Sequence, residues 1–186
     1  KFFGMKLAAL QVWFGKEADH TETCRQVLPW AANKDGEPDP ADWAAKVANL
    51  RPSLDPELRQ TALTLACRAV RLASTSDLLP WYQMGLGMAE YRNGHYPEAD
   101  HILGTAALHG SGIAARTANF YRAMSLFRQG QEAEARQLFD ETEARMKPLP
   151  AVTRWPVSAG DHNDLILWLA YKEARALLAP LQISSP

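Results

Sequence analysis

Five histidines, His20, His95, His101, His109 and His162, are the side chains best suited to metal or proton chemistry. No two of them stand four apart on a helix with a third ligand nearby, the geometry zinc needs. His101 and His109 lie on one helix face and read as a solvated or partly packed pair, so no metal site is expected. Asp140, Glu141 and Glu143 cluster, but Arg136 and Arg145 interleave with them, and on a helix such residues form solvated pairs four apart. "GLG" at 85–87 and "GSG" at 110–112 follow no strand and precede no Lys-Ser/Thr, so neither is a phosphate loop. Ser111 and Ser125 have no His and Asp companions. Cys24 and Cys67 are far apart in apolar, helical surroundings and read as small buried hydrophobes, neither a redox pair nor ligands. These readings predict a chain without catalysis, metal or cofactor.

Charge narrows the partners. Twenty Lys and Arg against 21 Asp and Glu give a formal charge of −1, which removes the electrostatic basis for nucleic-acid binding. No apolar run reaches the ~20 residues that cross a bilayer, and no cleavable leader is visible. The cysteine usage points to a reducing, cytoplasmic setting. The chain opens at Lys1 directly into an amphipathic helix, so it is expected to be a trimmed piece of a longer protein.

Whatever chemistry is present must be positioned by helices, because period-two alternation and hairpin turns are missing while Ala and Leu dominate. Helices are predicted at 2–14 and 18–28, split at Gly15, with Asp19 and Glu22 as a capping pair and Pro29 as a stop or kink. Asp39 is the expected N-cap of the next, which ends before Pro52. Asp55 caps another that runs to about Ala73. Further helices span 80–93, ended by Gly94 in the left-handed conformation, then 97–109, 113–129, 132–146 and 162–178. The long loop at 147–160 carries Trp155, expected to plug the space before the last helix. About nine helices, mostly in antiparallel pairs, make one all-α domain over residues 1–180.

A pattern recurs in these pairs. Around Gly94 stand Gly87, Ala99, Leu103 and Ala106; at the same offsets from Gly130, 36 residues later, stand Ala123, Ala135, Phe139 and Thr142. Small residues let two helices approach closely, and Leu103 and Phe139 fill the gap to the next pair. Weaker traces are Ala62, Ala66 and Ala69, and, around Gly15, Leu7, Ala8, His20, Cys24 and Val27. An insertion at 33–41 separates those two copies.

This pattern resembles the tetratricopeptide repeat. The likeness is carried by Leu86, Gly87, Ala89, Tyr91, Gly94, Tyr96, Glu98, Ala99, Leu103 and Ala106, then by Ala123, Gly130, Glu134, Ala135 and Phe139. It is strongest over 78–146 and degenerate over 1–74. The family's early tryptophan is displaced to Trp81, and Thr142 replaces its late alanine. The second half is also similar to repeat regions of planctomycete and verrucomicrobial serine/threonine kinases and to bacterial kinesin-light-chain-like proteins, which associate with bacterial tubulin.

The resemblance implies a right-handed α-solenoid capped by the 162–178 helix and acting as a protein-interaction scaffold. Its partner would be a peptide or protein, in a kinase assembly or on a tubulin-like filament. It implies a concave groove walled by Trp81, Met84, Met88, Tyr91 and Arg92, then Phe120, Met124, Phe127 and Arg128. Arg92 and Arg128, each two before a turn glycine, would present paired guanidinium groups to an acidic peptide. On that reading, reversing both charges weakens partner binding and leaves helicity and melting temperature nearly unchanged. The carboxylate clamp of chaperone-binding relatives is not expected, since Met5 and Ala9 stand at the early groove positions.

Overall fold

A computed structural model describes residues 2–150, 156 and 160–179 of the chain. Among the described residues there are nine helices and no strand: α1 (Phe2–Trp13), α2 (Glu17–Ala32), α3 (Pro38–Asn49), α4 (Pro56–Leu72), α5 (Leu79–Asn93), α6 (Tyr96–His109), α7 (Gly112–Arg128), α8 (Glu132–Glu143) and α9 (His162–Leu178). Trp155 lies outside the described residues.

The local signals set most boundaries. Gly15, Gly94 and Gly130 all adopt positive φ, at 66°, 82° and 82°. Each makes the same closing turn. The glycine amide donates three residues back, to Val12, Tyr91 or Phe127, and the next amide donates five back, to Gln11, Glu90 or Leu126. That double bond satisfies carbonyls a helix end leaves open, and the positive φ is why glycine stands there. Asp55 caps α4 as expected, accepting from the Glu57 and Leu58 amides at 3.0 and 3.3 Å. α9 begins with a reciprocal box between Asp161 and Asp164.

Four local expectations fail. Pro29 neither stops nor splits α2, which runs on to Ala32; Leu28 and Ala31 are buried and hold this last turn against the core. α2 starts at Glu17, so Asp19 sits inside the first turn and caps nothing. Asp39 is likewise displaced, because Pro38 opens α3 and Glu37 is its N-cap; the Asp39 carboxylate instead accepts from the Tyr82 hydroxyl at 2.7 Å. Cys67 is exposed, whereas Cys24 is buried.

Burial separates the helices into two layers. α3, α5, α7 and α9 bury most of their residues, polar ones included. The even-numbered helices bury one stripe, such as Ala99, Leu103 and Ala106 of α6, and turn a polar face outward. Consecutive helices pack on each other, and the odd-numbered ones also pack on one another in order: α1 on α3, α3 on α5, α5 on α7, α7 on α9. α9 then returns to α1, where Trp13 and Trp168 meet edge to face with centroids 6.2 Å apart. The 162–178 helix, expected as a cap, contacts α7, α8 and the first helix.

The small residues act at the closest approaches. A Cβ built on Gly87 would lie 2.3 Å from Leu103 Cγ, so α5 and α6 meet at a distance only glycine permits. Ala99, Ala123 and Ala135 have no exposed surface. Gly85 is equally tight, its hypothetical Cβ falling 2.6 Å from Asp42 Oδ1.

Candidate functional site

The structure redistributes the nine predicted groove residues. Met84, Met88, Phe120 and Met124 are at most 1 % exposed, and Tyr91 is buried. These five are core: the Tyr91 and Phe120 rings pack against aromatic rings of α7 and α9, and Met84, Met88 and Met124 are closed off from solvent. Phe120 touches Phe139 and Tyr171 of α9, with ring centroids 5.5 and 5.6 Å away. The stripe of aromatics and methionines that read as a groove wall is the seam between helices.

Arg92 changes role most. Its side chain is 3 % exposed. Nη1 and Nη2 donate to Glu173 Oε1 and Oε2 of α9 at 2.5 and 2.6 Å. Nε donates to the Asn49 carbonyl of α3 at 3.0 Å, and Nη2 also reaches the Tyr121 hydroxyl of α7 at 3.1 Å. The Tyr91 and Tyr121 rings flank the guanidinium at 5.4 and 5.3 Å. Burial works against the charge, and Tyr121 and the fork-on-fork contact with Glu173 outweigh it. Arg92 therefore ties four helices together and offers nothing to a partner.

Arg128, by contrast, is exposed, and its charge opposes the burial that raises the pKa of the Tyr91 hydroxyl. Phe127 is half-buried beneath Arg136. Trp81 is half-buried at the opposite end of the odd helices, with the Lys46 ammonium 5.6 Å from its ring centroid. Lys46 is held in turn by Asp42 at 2.7 Å. Trp81 also borders a cavity of about 300 Å³ that Asp39, Asp42, Trp43 and His162 help to line. Trp81, Phe127 and Arg128 are thus the predicted residues with surface to offer, and they do not share one face.

The other titratable groups are structural. His20 is buried, and its Nε2 bonds the Val47 carbonyl at 2.9 Å, sealing the last turn of α3. Burial lowers its pKa and the Val47 bond opposes that shift. Burial pushes the neighbouring Cys24 thiol up to about 12, which leaves it a thiol and no nucleophile at neutral pH. Burial also raises the Tyr82 hydroxyl, helped by its bond to Asp39. Glu143 leaves the predicted carboxylate–arginine pairing to accept from Tyr171 at 2.5 Å. Among the described residues no three of His, Cys, Asp and Glu are grouped to hold a metal, and no helix is long and apolar enough to cross a membrane.

Sequence reading missed an exposed aromatic beside an apolar trench. Trp30, on the continuation of α2 past Pro29, is 42 % exposed. It stands perpendicular to Trp43 of α3, centroids 5.4 Å apart, beside a trench of about 600 Å³ that includes Val27 and Pro40. A tryptophan on the far side of a proline expected to end the helix was the available signal. No protein-family model matches the chain, and no curated protein or solved structure matches it significantly.

Proposed function

We propose that this chain is a non-catalytic protein-interaction scaffold of the tetratricopeptide type, a right-handed stack of helix pairs working in the cytoplasm. What supports the stack is the 36-residue recurrence of one glycine turn, at Gly94 and Gly130, with buried small residues at matching offsets. The partner is a protein or peptide, and it docks on the face shared by α2 and α3, since the side chain of Arg92 and five other predicted groove residues are buried. The observation that carries this placement is the half-exposed Trp30 over its trench: a rigid aromatic beside apolar surface is the side chain most often found at the centre of a binding patch. A bacterial tubulin-like filament is the first partner to try.

Cosedimentation of the chain with such filaments, and cross-linking of the chain in its native cell, test the proposal. Trp30→Ala is expected to abolish the dominant cross-link while circular dichroism stays unchanged. Arg128→Glu is expected to have little effect. A dominant partner that crosslinks equally well to Trp30→Ala would remove the trench from the reading. Turnover of a substrate by the purified chain would end the scaffold reading itself.

A further inference from the structure

The α3–α4 connection, residues 50–55, arches over the first half of α2 and leaves a cavity of about 310 Å³. Arg25 of α2, Arg51 of the connection and Arg59 of α4 all line it, brought together from positions that nothing in the sequence groups. Leu58 adds an apolar wall, and Leu54 stands fully exposed at the rim. The floor includes the buried His20 and Cys24.

Charge in this cavity is not balanced. Two carboxylates, Glu17 and Asp55, face three guanidinium groups. Asp55 already accepts two amides at the start of α4. Glu17 meets Arg51 Nη2 at 2.8 Å but is itself 69 % exposed, and an exposed pair of that kind binds weakly and yields to a better anion. Arg59 Nη1 donates to the Ser53 carbonyl at 2.6 Å, which fixes its fork along the connection. Arg25 is exposed and makes no hydrogen bond or ion pair among the described residues. The Arg51 charge reaches the cavity floor, where it opposes protonation of His20 and favours the Cys24 thiolate.

We propose that this cavity is an oxyanion site that takes the phosphate monoester of a small organic molecule, with Arg25, Arg51 and Arg59 around the phosphate and its carbon body against Leu54 and Leu58. Three separate guanidinium forks match the several oxygens of a phosphate better than the two of a carboxylate. The volume exceeds that of the bare ion, and the leucines supply a surface for carbon.

Titration of the ¹⁵N-labelled chain with phenyl phosphate, inorganic phosphate and benzoate tests the proposal by amide shifts. Phenyl phosphate is expected to move amides in 17–25 and 51–59 to saturation, and inorganic phosphate to move the same set more weakly. Arg25→Gln, a change at a residue with no structural partner, is expected to weaken phenyl phosphate about tenfold, as loss of one charge-assisted contact should. Arg59→Lys, which keeps charge and loses the fork, is expected to weaken it by a smaller factor, and Arg71→Gln on the exposed side of α4 to leave it unchanged. Shifts confined to other residues, unaltered affinity in Arg25→Gln, or benzoate binding as tightly as phenyl phosphate would each overturn the assignment.

Discussion

The neighbouring pairs α5–α6 and α3–α4 solve the same packing problem by different means. In α5–α6 the closure of the turn is local. Gly94 turns the chain, Gly87 admits Leu103, and the helix end is closed by its own backbone. In α3–α4 no glycine ends the first helix. Its last carbonyls are sealed from a distance, Val47 by His20 and Asn49 by both Arg92 and Tyr121. The second helix is then restarted by Asp55. A two-residue turn leaves nothing between the helices, whereas the longer connection stands off the core and opens the arginine-lined cavity. Where side chains replace backbone in closing a helix, the fold acquires long-range dependence and a recess together.

Perturbations chosen on each side sharpen this contrast. The largest effect belongs to Arg92→Ala, which strips α3, α5, α7 and α9 of a shared buried partner; breaking such a pair costs about 3–5 kcal/mol, read as a fall in urea midpoint. A loss below 1 kcal/mol would mean that distant sealing is dispensable. Next is Gly87→Ala, whose methyl must displace Leu103; overpacking of this kind costs about 1–3 kcal/mol, and a thermal melt that does not move would refute the close approach. Asp55→Ala removes the cap of α4 and should cost about 1 kcal/mol, with amide exchange accelerating first at Glu57 and Leu58. Gly104→Ala is the opposite control. Its Cβ would meet Arg122 at an ordinary 3.6 Å, so helix propensity dominates and the chain should gain roughly 0.5–1 kcal/mol.

Acid is the mildest probe. His20 and His162 both have pKa values lowered in the folded state, chiefly by burial. Below the ordinary histidine pKa of about 6.5 the unfolded chain takes up protons that the folded chain refuses, so stability falls as pH drops through that value and is unaffected above it. The loosening should appear first in amide exchange at the α2–α3 seam and the start of α9, ahead of α6 and α8. Uniform loosening would deny the two histidines this role.

The sequence made the α5–α6 solution readable and the α3–α4 solution opaque. Glycine turns, proline starts and small residues at fixed offsets act within a few positions, so Gly94, Gly130, Asp55 and the limits of α9 can be read directly. Arg92 and Glu173 are 81 positions apart, and a solvated-looking arginine gives no sign that a glutamate on a mostly apolar helix will meet it. The same gap explains the groove. Methionines and aromatics at helical spacing fit a wall or a core equally well, and only the packing of helices distant in sequence decides for the core. Pro29 and Asp39 misled for a related reason: burial of Leu28 and Ala31, and the hydroxyl of Tyr82, overrode what their own neighbours favour.

The contact of α9 with α1 bears on how such a chain can vary. An open row of units tolerates the gain or loss of one at either end, because each touches only its neighbours. Here the Trp13–Trp168 contact joins the first and last described helices, so adding or deleting a helix pair between them would pull those two rings out of register. Removal of α1 should therefore be felt at α9.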